Sequence, residues 1–167
     1  MSNIEIEKKY IILMPNAEDM ENCINFAKSR ITQIYLESDI GVTHRVRSRE
    51  TAGKVVYTET KKIRIDKCSA FEDEREITEE EFATLIKTAR ADSTPIIKER
   101  FVFTYKGQLF EVDMYPQWKN TAILETELEA RDKEVEFPSF LKIIKDVTGD
   151  KRYSNAGMAR AFPLEEE

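Results

Sequence analysis

The stretch Ile96-Ile97-Lys98-Glu99-Arg100-Phe101-Val102-Phe103-Thr104-Tyr105-Lys106-Gly107-Gln108-Leu109-Phe110-Glu111-Val112-Asp113-Met114-Tyr115 decides the fold. Two runs of alternating character flank Lys106-Gly107, a dipeptide suited to a tight hairpin. Side chains two apart share a face of a strand. The first run therefore sets Lys98 and Arg100 opposite Ile97, Phe101 and Phe103, and the second sets Glu111 and Asp113 opposite Phe110, Val112 and Met114. Each strand carries a pair of like charges on one side and an apolar strip on the other.

The pattern repeats outward in both directions. Ile4 to Leu13, Gln33 to Ser38, Thr43 to Arg49, Val55 to Ile65, Phe71 to Ile77 and Ala122 to Ala130 also read as strands, eight with the hairpin pair. Their ionic faces hold Glu5, Glu7 and Lys9, then Arg45 and Arg47, then Thr58, Thr60, Lys62 and Arg64. Further on come Glu72, Glu74 and Glu76, and finally Glu125 and Glu127. Helices are expected from Asn16 to about Arg30, after the capping box that begins at Thr78, from Pro138 to Val147, and briefly after Ser154. The class is α+β and mostly antiparallel.

An open sheet, hydrated on one face and packed against helices on the other, accounts for simple alternation. Repeated Glu-x-Glu and Arg-x-Arg fit it less well, because like neighbours along a strand repel. They fit better where each pair has a counter-ion to hold. Eight strands is also the number at which a sheet closes around an interior one ligand wide. In such a lumen the acids and bases must nearly balance, since one unpaired buried ion costs several kcal/mol. Clustered carboxylates without His or Cys suit hard ions such as Mg²⁺ or Mn²⁺, and clustered Arg and Lys suit an oxyanion.

The 167 residues include 32 acidic and 26 basic side chains, for a net charge of −6. That balance argues against a chain built to bind nucleic acid or an anionic membrane. No apolar run is long enough for a transmembrane helix or a cleavable signal. Cys23 and Cys68 lack metal-type spacing. One cytoplasmic domain over residues 1–167, with reduced thiols, is expected.

Glu5-Ile6-Glu7-Lys8-Lys9 resembles the N-terminal Glu-x-Glu-x-Lys signature of the CYTH superfamily, the triphosphate tunnel metalloenzymes. The likeness continues in order through Arg45-Val46-Arg47, Thr60-Lys61-Lys62, Glu72-Asp73-Glu74, Lys98-Glu99-Arg100, Leu109 to Asp113, Glu125-Thr126-Glu127 and Asp150 to Asn155. It implies an eight-stranded antiparallel closed barrel with a few packing helices, acting on triphosphates with Mg²⁺ or Mn²⁺. Carried across by position, Glu5, Glu7, Glu125, Glu127 and Asp113 resemble metal-binding carboxylates, with Glu72 and Glu111 as supporting acids. Lys9, Arg45, Arg47, Lys62, Lys98, Arg100 and Arg152 resemble a phosphate clamp, and Lys9, Lys98 and Glu74 the catalytic groups. Lys61 remains an alternative to Lys62, and Lys151 to Arg152.

Hydrolysis of inorganic tripolyphosphate, by water attack on a terminal phosphorus, is the favoured activity, since no extra segment for a nucleobase is visible. A class IV adenylate cyclase, a thiamine or nucleoside triphosphatase, and a non-catalytic polyphosphate-binding module are the alternatives. The expected partner is a small-molecule triphosphate, with no nucleic acid and no membrane, and homodimerisation is left open. His44, Trp118 and Pro116 read as structural, and Glu165-Glu166-Glu167 as a solvated end.

Overall fold

The computed structural model describes residues 4–166; Glu167 lies outside them. Alternation resolves into nine strands: β1 (Ile4–Leu13), β2 (Ile24–Leu36), β3 (Val42–Thr51), β4 (Lys54–Arg64), β5 (Ser69–Ile77), β6 (Ile96–Tyr105), β7 (Gln108–Met114), β8 (Thr121–Glu127) and β9 (Ile143–Asp146). Three short helices accompany them, α1 (Ala17–Glu21), α2 (Glu79–Leu85) and α3 (Asn155–Arg160). None is long and apolar enough to cross a membrane.

The sheet runs β5-β4-β3-β2-β6-β7-β8-β1-β9, and β5 also pairs with β1. That pairing, Ile4↔Phe71, Glu5↔Ala70 and Ile6↔Ser69, closes β1 through β8 into an antiparallel barrel. The closed alternative is therefore the one adopted. Two hairpins turn through residues at positive φ, Ala52-Gly53 (51° and 82°) and Lys106-Gly107 (47° and 78°). This is the mirror-image turn whose twist matches the flanking strands.

Two expected helices are corrected. The first ends at Glu21, and residues 24–36 form the longest strand, paired with β3 on one side and β6 on the other. Ser29, Ile31 and Gln33 are all buried there, so the period-2 face of β2 outweighs the helical spacing of Met20, Cys23, Ile24 and Ala27. The stretch from Pro138 to Val147 contains β9 rather than a helix. Because β5 covers only the first part of β1, the same edge further on needs backbone partners. Tyr10 and Ile11 pair with Asp146 and Lys145, and the Lys9 backbone N–H donates to Thr148 Oγ1 at 2.9 Å.

The apolar faces point outward and are covered. Phe101, Phe103, Phe110, Val112 and Leu124 pack under α1 and the chain around Leu141, while α2 covers Val46 and Ile77. Inside the barrel, one end is filled. Ile11, Tyr35, Ile96, Tyr115 and Ile123 meet Trp118, Tyr153 and Met158 from the C-terminal segment. Trp118 is structural as expected, donating its indole N–H to the Pro163 carbonyl. The acidic tail is not a free solvated end: Glu165 accepts from the backbone of Lys119 and Thr121, and Glu166 accepts from the Tyr153 hydroxyl at 3.0 Å.

Candidate active site

Register stacks the inward charges. Glu7 faces Glu127 and Lys9 faces Glu125 across β1 and β8; Glu111 faces Glu125 across β7 and β8. Arg100 faces Asp113, Arg45 faces Thr60, Thr60 faces Glu74, and Lys62 faces Glu72. The lining falls into three regions of different charge balance.

The β6–β7 wall is internally paired. Arg100 donates to both oxygens of Asp113 at 2.8 and 2.9 Å, and Lys98 Nζ donates to Asp113 Oδ2 at 2.8 Å. Arg100 also meets Glu111 at 2.9 Å. Lys98 and Asp113 have no exposed side-chain surface at all. Burial pushes the Lys98 ammonium down to about 8 despite the attraction of Asp113. Burial also opposes ionisation of Asp113, yet Arg100 and Lys98 hold it well below the usual carboxylate range. Both oxygens of Asp113 are occupied by protein cations, so the structure places it as the anchor of this wall.

The β1–β8 wall is acid-rich. Lys9 meets Glu125 at 3.2 Å, and Lys62 lies 3.6 Å from Glu5 and 3.7 Å from Glu72. Burial disfavours the ionised form of Glu125, but Lys9 overcomes it and holds that acid down to about 2. Its neighbours move the other way. Burial and then repulsion from Glu125 push Glu7 well above its usual value, and burial with a Glu72 hydrogen bond raises Glu5. Glu111 is raised by burial, and Glu127 by burial and then by Glu5 and Glu111.

The β3 wall is cation-rich. Arg45 and Arg47 lie 3.9 and 3.5 Å from the same carboxylate oxygen of Glu74, whose other partner at that atom is the Thr60 hydroxyl at 2.7 Å. Burial, then repulsion by Arg45 and Arg100, takes Arg47 down to about 10. Arg45 Nε, Arg47 Nε and Gln33 Oε1 are buried without a hydrogen-bond partner among the described residues. Orphaned buried donors and acceptors of this kind ordinarily cost stability.

Most of the sequence-derived site is thus brought together: Glu5, Glu7, Lys9, Arg45, Arg47, Lys62, Glu72, Glu74, Lys98, Arg100, Glu111, Asp113, Glu125 and Glu127 share the lumen. Lys62 points in and Lys61 is exposed, as the face of Thr60 requires. Arg152 stands apart, with 68% of its side chain exposed and a 2.7 Å contact to Asp150; Lys151 is exposed too. His44 is on the outer wall, 2.7 Å from Glu59. Sequence reading missed Arg49, two residues beyond Arg47 on the same face, though the same alternation carries it. It also missed the role of Asn155, whose Oδ1 accepts from Lys98 at 3.3 Å and from the Tyr115 hydroxyl at 3.0 Å.

Among the described residues no three His, Cys, Asp or Glu side chains converge as a ready-made ion cage. The donor chemistry nevertheless fits a hard divalent ion. Glu5, Glu7 and Glu127 offer only oxygens, and burial first, with repulsion from neighbouring acids second, opposes their ionisation, which a cation would favour.

No protein-family model and no curated protein matches the chain. Solved structures do. One is described as the inorganic triphosphatase NE1496, at 25% identity and TM-score 0.59, covering 95% of this chain and 96% of its own. Protein PH1819 of Pyrococcus horikoshii OT3 aligns at 18% identity and TM-score 0.56 over 77% of this chain and 80% of its own. A Vibrio parahaemolyticus protein described as a candidate adenylate cyclase aligns at 13% and 0.53 over 78% and 80%. Fold and lining define a closed, charge-lined barrel, the fold that these neighbours share. The neighbour described as an inorganic triphosphatase is consistent with the CYTH superfamily that the sequence motifs resemble.

Proposed function

We propose that the protein is a divalent-metal-dependent triphosphatase that hydrolyses inorganic tripolyphosphate to pyrophosphate and orthophosphate. The observation that carries this reading is the polarised lumen, in which an excess of carboxylates on β1 and β8 faces an excess of guanidinium groups on β3. A metal-complexed polyphosphate complements both at once. Either wall alone suits a simple cation or a simple anion. The neighbour described as an inorganic triphosphatase supports the same reading.

Phosphoryl transfer asks the protein chiefly for position and charge. Arg45 and Arg47 present donors with open hydrogen-bonding capacity to the phosphate oxygens, Arg in a fork that can grip two at once. Lys9 and Lys62 extend the clamp along the acid wall. Asp113 and Asn155 hold Arg100 and Lys98 in place, so their donors need no reorganisation as charge develops. Glu74 has 40% of its side chain exposed beside the cation wall and would take a proton from the attacking water. Glu5, Glu7, Glu125 and Glu127 would hold Mg²⁺ or Mn²⁺, which when bound neutralises phosphate charge and acidifies water.

The test is orthophosphate release from tripolyphosphate by the purified chain with Mg²⁺ or Mn²⁺, with and without EDTA. Release that depends on metal is the expected result. Absence of release with either ion, or release indifferent to EDTA, would overturn the reading; cyclic AMP formed from ATP in a parallel reaction would replace it with a cyclase.

A further inference from the structure

We infer that Arg49 selects substrates at the open mouth of the lumen, favouring a chain that ends in a charged phosphoryl group over one that ends in a neutral nucleoside. This rests on the proposed triphosphatase reading and assigns its substrate preference to one residue.

Arg49 lies on the inner face of β3, where its Nε donates to Ser29 Oγ at 3.0 Å. The Ser29 hydroxyl in turn shares a 2.7 Å hydrogen bond with Thr51, and Ser29 is 2% exposed. One edge of the guanidinium is thereby fixed, while its remaining N–H groups have no acceptor among the described residues. Arg45 and Arg47 share Glu74; among the described residues Arg49 forms no ion pair. Burial first, then repulsion from Arg100, lowers its proton affinity, against the attraction of Glu111, Asp113 and Glu74.

Position along the barrel says what that charge would meet. Tyr35 belongs to the apolar plug and pairs with Arg45; Gln33 pairs with Arg47 and Ile31 with Arg49. Arg49 is therefore four residues further along β3 from the plug than Arg45. A triphosphate can seat only from the unplugged end. A nucleotide seated with its phosphates inside brings to that depth an α-phosphoryl esterified to the sugar, with a single negative charge. The terminal phosphoryl of an inorganic chain brings an additional negative charge to Arg49. A charge-assisted hydrogen bond contributes about 1.5–3 kcal/mol, which corresponds to roughly tenfold or more in affinity.

Calorimetric titration of the full chain with tripolyphosphate and with ATP, each in Mg²⁺, tests this in the wild type, Arg49→Gln and Arg49→Lys. Expected is a loss of about tenfold in tripolyphosphate affinity for Arg49→Gln, a change below about twofold for ATP, and partial recovery in Arg49→Lys. Melting temperatures establish that the variants are folded. Equal losses for the two anions make Arg49 part of the general clamp and overturn the inference, as does no loss for either. Wild-type binding without turnover sinks the triphosphatase reading alone, because selection by Arg49 is still measured. Failure of the wild type to bind either anion sinks both.

Discussion

Arg100 and Asp113 face each other across β6 and β7 and meet through two hydrogen bonds, Nε to Oδ1 at 2.8 Å and Nη2 to Oδ2 at 2.9 Å. With Lys98 on the same carboxylate, a buried anion is shared by two buried cations. Removing that anion leaves both cations without their partner. Asp113→Asn is expected to cost about 3–5 kcal/mol in urea unfolding. Its Mg²⁺ affinity, measured separately, is expected to stay within about threefold of wild type. A large loss of metal affinity with unchanged stability would return Asp113 to the metal-binding set.

The acid wall sets the pH dependence of the metal-free protein. Glu5, Glu7, Glu111 and Glu127 have folded values above the ordinary 4.5, so the folded chain binds more protons than the unfolded one just above that pH. Stability contributed by these groups therefore falls as pH rises above 4.5. Glu125 behaves oppositely: its value of about 2 gives stability that is present above 4.5 and lost as pH falls toward 2. Urea midpoints in EDTA should decline from pH 5 toward 8, and Mg²⁺ should flatten that decline. A midpoint that rises through this window without metal would contradict the assigned repulsion.

Neutralising one acid makes the same point by mutation. Glu7 has no ion-pair partner within 4 Å among the described residues, and burial with Glu125 opposes its charge. Glu7→Gln is expected to raise the metal-free melting temperature by about 2–4 °C, equivalent to about 1 kcal/mol in a chain of this size. Metal-stimulated phosphate release should fall by at least about a hundredfold, given the several kcal/mol that metal neutralisation supplies. A variant that melts lower and still turns over would remove Glu7 from the site.

Two residues serve as controls. Arg152 is exposed and satisfied by Asp150, and His44 is held by Glu59 outside the barrel. Arg152→Ala and His44→Ala should each leave kcat/KM within about threefold of wild type, less than 1 kcal/mol in transition-state stabilisation. A collapse of activity in Arg152→Ala would show that the C-terminal segment swings this cation into the lumen when substrate binds.

The legible part of the molecule was the part governed by a local repeat. Period-2 alternation located seven of the eight barrel strands, caught only the end of β2, and chose Lys62 over Lys61, because that rule needs no knowledge of partners. Helical spacing misled at residues 24–30 and 143–146, where the vacant edges of β3, β6 and β1 decided the conformation. Such edges exist only once the barrel has closed. The contacts of Asn155 and Glu165 were invisible for a related reason: their partners, Lys98 and the turn at Lys119 to Thr121, are far away in sequence. Arg49 was legible and overlooked, since Arg45-Val46-Arg47-Ser48-Arg49 is one unbroken alternation.

The central claim is that the acidic and basic walls cooperate on one ligand, and coupled binding measures it directly. Tripolyphosphate should bind at least about tenfold more tightly in Mg²⁺ than in EDTA, a coupling of about 1.4 kcal/mol. Glu7→Gln should abolish that difference, whereas Arg47→Ala should weaken binding in both conditions. Equal tripolyphosphate affinity with and without metal in the wild-type chain would contradict the account.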